Sequence, residues 1–176
     1  METADRPVAG AGRVQIRRAV DDDFDAMRRI EEAVLAGGDA YVVDPGSPPE
    51  DTRAYWLGSG VVSFVALDAE AVVGMYRRVA NWPGRGSHVA NASFIVSPTA
   101  QGCGIGKALG LHCLAEARKA GFVAMQFNFV VSTNTGALAL WQQLGFKIVG
   151  TLPQAFRHKT LGLVDACVMY RRIDQP

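Results

Sequence analysis

Two periodicities alternate along the chain, and they divide it into unlike halves. Apolar positions over residues 14–18 predict a short strand. Asp21, Asp22 and Asp23 then supply N-cap and first-turn acids for a helix carrying Phe24, Met27, Ile30, Val34 and Leu35 at helical spacing. Gly37 and Gly38 end it. A turn-rich run, 44–50, leads into a brief helix over 51–57 that presents Tyr55 and Trp56, a candidate cover for a substrate. Residues 61–67 and 71–80 are β-rich and three residues apart, hairpin spacing that pairs them antiparallel. After a break over 81–87, residues 88–97 form the next strand. The second half changes rhythm. Ile105, Ala108, Leu109 and Cys113 mark a helix to residue 120, stopped by Gly121, and 122–131 is a β run. Residues 135–144 form another helix closed by Gly145, and 146–150 and 164–171 are the last strands. A helical crossover between 88–97 and 122–131 makes those two strands parallel, with a right-handed connection. The expected fold is one mixed α/β domain over 13–176, an antiparallel front half joined to a strand-helix-strand-helix unit. Residues 1–12 read as a loose tail.

Composition narrows the function classes. The chain has 176 residues, 49% hydrophobic and 20% charged, which suits a single domain with a substantial core. Lys and Arg number 18 against 17 Asp and Glu, a net charge of +1, so no chain-wide field attracts nucleic acid or an anionic membrane. Cys103, Cys113 and Cys167 cannot all pair and have no C-x-x-C spacing, which argues against a disulfide framework or a zinc site and for a reducing compartment. The N-terminus lacks the basic and apolar regions of a signal peptide, and no run approaches 18 apolar residues. A soluble cytoplasmic protein is expected. Glycine is in surplus, with 19 residues, and some of these should have particular tasks.

Three of them sit in the segment from Ser97 to Lys107, between a strand and a helix: Gln101, Gly102, Cys103, Gly104, Ile105, Gly106, Lys107. Glycines there let a ligand approach the backbone, and the free N–H groups of a helix start face outward with the positive end of its dipole. A pyrophosphate fits such a seat. The dinucleotide pattern G-x-G-x-x-G fails, because Lys107 and Leu109 stand where its third glycine belongs. The P-loop fails too, since Ala108 replaces the hydroxyl that meets magnesium. What remains is Q-x-x-G-x-G.

At these residues the sequence resembles the GCN5-related N-acetyltransferase (GNAT) family, whose acetyl-CoA signature matches Gln101, Gly104 and Gly106. Asn134 and the stretch Leu144, Gly145, Phe146 follow in the family's order, and the likeness covers roughly 13–172. It implies acetyl-CoA as co-substrate, with no metal, held between two parallel strands that splay at a bulge. Ile95, Val96, residues 101 to 107, Asn134 and Trp141 are the implied cofactor contacts. The Val96 N–H, freed by the bulge, is the implied oxyanion donor. Trp141 stands where many members place a tyrosine acid, and an indole donates a hydrogen bond but no proton.

The strands carry a second polar group. By alternation Asn91 and Ser93 share one face of their strand, while Gln126 and Asn128 share one face of its neighbour, so amides meet across the cleft. Asn128, between Phe127 and Phe129, reads as a buried amide that must find partners among backbone, water or substrate. The run from Met125 to Asn134, with Trp141, Pro153, Phe156 and His158, resembles the subgroup containing the fungal azetidine-2-carboxylate acetyltransferase. It implies that Asn91 and Asn128 meet the substrate, with Ser93 beside them, and that Asn128, Asn134 and Val96 serve catalysis. The expected activity is acetyl transfer to the amine of a small, amino-acid-like molecule. Alternatives are a lysine or N-terminal acetyltransferase and a non-catalytic acyl-CoA sensor, which the missing tyrosine permits. A homodimer is common in the family. Cys103, at a helix start, suggests an acyl-cysteine route only weakly. His88, His112 and His158 have no metal-ligand spacing, though His88 is a candidate base.

Overall fold

A computed structural model describes residues 14–41, 43 and 46–174; the tail expected over 1–12 lies outside them. In chain order the elements are β1 (Gln15–Arg18), α1 (Phe24–Leu35), α2 (Pro49–Leu57), β2 (Val62–Asp68), β3 (Ala71–Ala80), β4 (Val89–Val96), α3 (Ile105–Lys119), β5 (Ala124–Val131), α4 (Thr135–Gln143), β6 (Lys147–His158) and β7 (Gly162–Arg172). The seven strands form one sheet in the order β1-β2-β3-β4-β5-β7-β6. Every neighbouring pair is antiparallel except β4 and β5, the parallel pair that the helical crossover requires.

Because strand side chains alternate, the sheet buries two separate cores. On one face Met27 and Ile30 of α1 and Trp56 of α2 meet Val65, Leu67, Met75 and Ile95. On the other, Ile105, Leu109, Cys113 and Ala117 of α3 and Trp141 of α4 meet Tyr76, Ala90, Phe127 and Met169. The entrance to α1 is fixed by Asp23, whose side chain accepts from the Val20 N–H at 2.8 Å and pairs with Arg17 through two bonds of 2.7 Å. Of the two aromatics expected to cover a substrate, Trp56 packs inside and Tyr55 faces outward. Trp56 is fully buried and donates its indole N–H to Glu31 at 2.9 Å, whereas Tyr55 points into a cleft.

Two strands are longer than expected. The run over 146–150 extends as β6 to His158, and β7 begins at Gly162 rather than at 164. Pro153 is tolerated within β6 because this is the edge of the sheet with only β7 beside it, so a missing N–H disturbs no second ladder. The register slips between Leu152 and Phe156, around Pro153 and Gln154, where Gln154 adopts a positive φ of 52°.

The parallel pair is short. β4 and β5 meet only at Val89 opposite Ala124 and Ala90 opposite Met125, and then diverge. The bulge implied for β4 is not there: β4 keeps unbroken register with β3 from Ala80 opposite Ala90 to Gly74 opposite Val96. The irregularity lies in β5, whose register against β7 shifts between Phe127 and Val130. The bend of β5 opens the sheet.

Candidate active site

Backbone direction along β4 can be worked out from two hydrogen bonds. The Ser97 N–H donates to Val73 O at 2.9 Å, toward β3, and His88 O accepts from the Val123 N–H at 3.0 Å, on the β5 side. Amides alternate along a strand, so odd residues of β4 turn to β3 and even ones toward β5. Once β5 has departed, the N–H groups of Ala92, Phe94 and Val96 face an open gap. The Val96 N–H faces this gap because β5 splays away, not because β4 bulges. Ile95 borders the same gap, but its amide turns to Met75 and the residue is 2% exposed in the core under α1.

Beyond Ser97 the chain turns into α3. Gly102 and Gly104 have φ of 77° and 78°, left-handed values that side chains with a Cβ resist. Gly104 is the N-cap residue, and Ala108 N–H to Gly104 O at 3.1 Å is the first helical bond. The amides of Ile105, Gly106 and Lys107 therefore have no intrahelical acceptor. They border a cleft of about 1180 Å³ lined by Val96, Gln101, Gly102, Gly104, Ile105, Gly106 and Lys107 on one side and by Asn134, Leu140 and Trp141 of α4 on the other. A Cβ at Gly102 would meet nothing within 4 Å, so this turn is open to a ligand. Cys103 behaves differently: its side chain packs against the α3 core and is absent from the lining, which leaves the acyl-cysteine route without support.

Two residues on α4 have structural tasks beside their place in the cleft. Asn134 caps the helix, its Oδ1 accepting from the Ala137 N–H at 3.1 Å. Trp141 is 7% exposed, with ring centroids 4.7 Å from Phe94 and 4.8 Å from Phe127, so it is chiefly a wall.

The asparagine group is brought together on the α1–α2 face by a residue that the periodicity had placed in a break. Asn81 Oδ1 accepts from Asn91 Nδ2 at 3.0 Å and from Asn128 Nδ2 at 2.8 Å. Gln126 Nε2 in turn donates to Asn128 Oδ1 at 2.8 Å. Asn128 is exposed rather than buried, because α1 and α2 cover this face only over β2, β3 and β4 and do not reach β5. The signal for Asn81 was available only through pairing: with Val79 opposite Asn91, residue 81 falls beside Val89, and its N–H donates to Val89 O at 2.8 Å.

Further along the same face, Ser93 Oγ shares a hydrogen bond of 2.7 Å with the Tyr55 hydroxyl, and the Arg77 guanidinium lies 3.9 Å from the Tyr55 ring centre. Tyr41 completes this side. Burial, with Tyr55 and Glu31 nearby, holds its phenol above the ordinary tyrosine pKa and keeps it neutral. Of the three histidines only His158 lines the cleft. Its Nδ1 accepts from the Thr160 and Leu161 N–H groups at 3.2 and 3.3 Å, so the neutral ring carries its proton on Nε2. His88 is held at Arg85 O, 3.1 Å away, outside the lining. His112 packs behind α3, where its Nδ1 meets the Tyr76 hydroxyl at 2.9 Å and burial lowers its pKa. The β6–β7 turn is tied to the end of α1 by Lys159, whose N–H donates to Gly38 O at 3.0 Å and whose Nζ donates to Ala36 O at 3.1 Å. Among the described residues no group of three His, Cys, Asp or Glu is placed to hold a metal ion, and no helix is long and apolar enough to cross a membrane.

Known proteins share this fold. A GCN5-related N-acetyltransferase structure from Kribbella flavida superposes with a TM-score of 0.87 and 41% identity, covering 92% of this chain and 98% of that one. A GNAT-superfamily phosphinothricin acetyltransferase from Sinorhizobium meliloti, solved in complex with AcCoA, has a TM-score of 0.79 and 28% identity over 91% of this chain and 88% of its own. The N-acetyltransferase aca1 of Schizosaccharomyces pombe is 37% identical over 99 residues, 56% of this chain, and the matched part spans 47% of that protein's length. Residues 25–146, which run from α1 through the glycine turn to the end of α4, match the Acetyltransferase (GNAT) family, and the chain belongs to it.

Proposed function

We propose that the protein is an acetyl-CoA-dependent N-acetyltransferase that acts on the amine of a small, amino-acid-like molecule by direct transfer in a ternary complex. The observation that carries this is the splay of β4 from β5, which leaves Val96, the open start of α3, Asn91 and Asn128 along one cleft. Acetyl-CoA supplies the thioester: the amine nitrogen bonds to the carbonyl carbon, the carbon–sulfur bond breaks, and the CoA thiolate leaves with the proton that the amine gives up. The Val96 N–H is positioned to stabilise the oxyanion of the tetrahedral intermediate. The first-turn amides of α3 and the glycine turn suit the pyrophosphate. With Trp141 in the tyrosine position, protonation of the thiolate falls to solvent or to the substrate's own proton; a free thiol has a pKa of about 8.5, so the leaving group needs little help.

A small acceptor is favoured over a peptide by the Lys159 tie, which joins the β6–β7 turn to the end of α1 beside the Gly37 and His158 lining of the cleft. The azetidine-2-carboxylate subgroup is the finer reading. It is supported by Asn91 and Asn128 being drawn to a common partner, which sets two carboxamides side by side. Trp141 favours one competing reading, a sensor that binds acyl-CoA without turnover. Thiol release separates them. Incubation with acetyl-CoA and a panel of amines that includes azetidine-2-carboxylate, proline, other amino acids and lysine peptides should liberate CoA thiol with a small acceptor. CoA binding with no thiol from any amine would favour the sensor, and release with peptides alone would overturn the small-acceptor reading.

A further inference from the structure

Arg77 is the feature of the cleft that acetyl transfer leaves unexplained. It lies on β3 opposite Ser93, so its side chain shares a sheet face with Asn91 and Ser93. It is half-buried, and it is the one guanidinium in the lining; the other cation there, Lys107, belongs to the α3 end. Among the described residues it has no carboxylate within 4 Å: the ion pairs are Arg17–Asp23, Arg28–Glu32, Arg53–Asp21, Lys119–Glu116 and Arg172–Asp174. A cation withdrawn partly from water without a counter-charge is disfavoured unless something else compensates. Here the Tyr55 ring does so in part, with the guanidinium carbon 3.9 Å from its centre. Tyr55 is itself anchored by its 2.7 Å bond to Ser93. Stacking fixes the plane of the guanidinium and leaves its edge to donate two parallel N–H bonds, a fork that matches a carboxylate.

We propose that Arg77, held on Tyr55, seats a carboxylate of the acetyl acceptor and thereby selects amino acids over simple amines and over amino acids whose carboxyl group is blocked. This inference rests on the acetyltransferase reading for the identity of the ligand as an acceptor, but the carboxylate seat itself can be tested by binding alone. The site has two divisions of labour. The Val96 end handles the thioester, and Arg77 fixes the far end of the acceptor, which restricts how its amine approaches.

The test uses matched acids and carboxamides: azetidine-2-carboxylate, proline, methionine and glutamine, each against its α-carboxamide. CoA-loaded protein is titrated calorimetrically with each, and thiol release is measured in parallel. At least one acid should bind the native protein about 10- to 100-fold more tightly than its amide, the range for a hydrogen-bonded charge pair. Arg77→Gln should bring that ratio close to one, raising KM for the acid far more than it lowers kcat and leaving the KM for acetyl-CoA unchanged. Arg77→Lys, which keeps the charge without the fork, should recover part of the preference. Loss of a merely structural arginine would weaken acid and amide alike. If no acid binds better than its amide, or if Arg77→Gln retains the discrimination with its melting curve intact, the carboxylate seat is wrong. If acids bind through Arg77 but no thiol appears with any of them, the seat stands and the acetyltransferase reading fails.

Discussion

At the scale of single residues, charge and burial act together at Asp23. Its side chain is 7% exposed and accepts three hydrogen bonds, two from Arg17 and one from the Val20 amide. The Arg17 bonds, more than the backbone bond, hold its carboxyl below the ordinary aspartate range. A folded-state pKa below the unfolded one means that the stabilisation is present above the unfolded value, about 3.9, and is lost as pH falls through the folded value. Asp23→Asn should therefore lower stability by about 1–2 kcal/mol at pH 7, a figure kept small because the Arg17 partner is 37% exposed and screened by solvent. The gap between variant and native protein should begin to narrow at about pH 4, where the unfolded carboxyl takes up its proton, and close as pH falls through the lower folded value. Urea unfolding at pH 7, 5, 4 and 3 measures it, and a gap independent of pH would mean that packing, not charge, sets the effect. Residues of this kind differ in how far sequence revealed them. The glycine turn was legible because its meaning is local, a strand end and a helix start separated by residues free to adopt positive φ. Asn81 was not, because what it does depends on the β3–β4 register and on the departure of β5, neither of which any short window contains. Asn128 was assigned a buried environment from its apolar neighbours for the same reason.

Elements were read more securely than their edges. The helices follow their 3.6-residue pattern, and β4 and β5 are parallel as the α3 crossover demands. β6 runs eight residues past the expected end at Gly150, and it can carry Pro153 because it is an edge strand with one neighbour. Helix contacts pose a similar problem, since the role of Gly110 is visible only once α3 and α4 are docked. A Cβ there would stand 2.5 Å from Leu144 Cδ1 and 3.2 Å from Trp141 Cζ3. Leu144 and Trp141 are 5% and 7% exposed, so neither side chain has open space into which to swing. Gly110→Ala would gain about 1 kcal/mol in helix propensity, but overpacking of a filled site costs about 1–3 kcal/mol. The second term should prevail, with a net loss near 1 kcal/mol and a fall in Tm of about 2–4 °C for a domain of this size. Differential scanning calorimetry decides the sign, and a rise in Tm would show that Leu144 rotates away at little cost.

Across the whole molecule the two cores lie on opposite faces of one sheet, and the cleft is the place where that sheet comes apart. β4 belongs to the antiparallel front half, β5 to the unit that ends in β7 and β6, and only two residue pairs join them directly. A ligand laid between them and capped by the start of α3 therefore links parts that the backbone ladder leaves separate. Binding to the folded state alone stabilises it by about 2.7 kcal/mol at a ligand concentration one hundred times Kd, which corresponds to a rise in Tm of about 5–10 °C. Acetyl-CoA should produce a shift of that size in this protein. The net charge of +1 offers little general attraction for so acidic a ligand, so the hold on its pyrophosphate must come from local groups, chief among them the amides at the start of α3. Gly104→Val separates that contribution from simple destabilisation. At a φ of 78° a β-branched residue is strained, so the variant should melt lower than the native protein without ligand. The discriminating quantity is the ligand-induced increment, which should fall to near zero because valine both distorts the turn and places methyl groups where the pyrophosphate must approach. A variant that melts lower yet keeps the full increment with acetyl-CoA would place the pyrophosphate somewhere other than the start of α3.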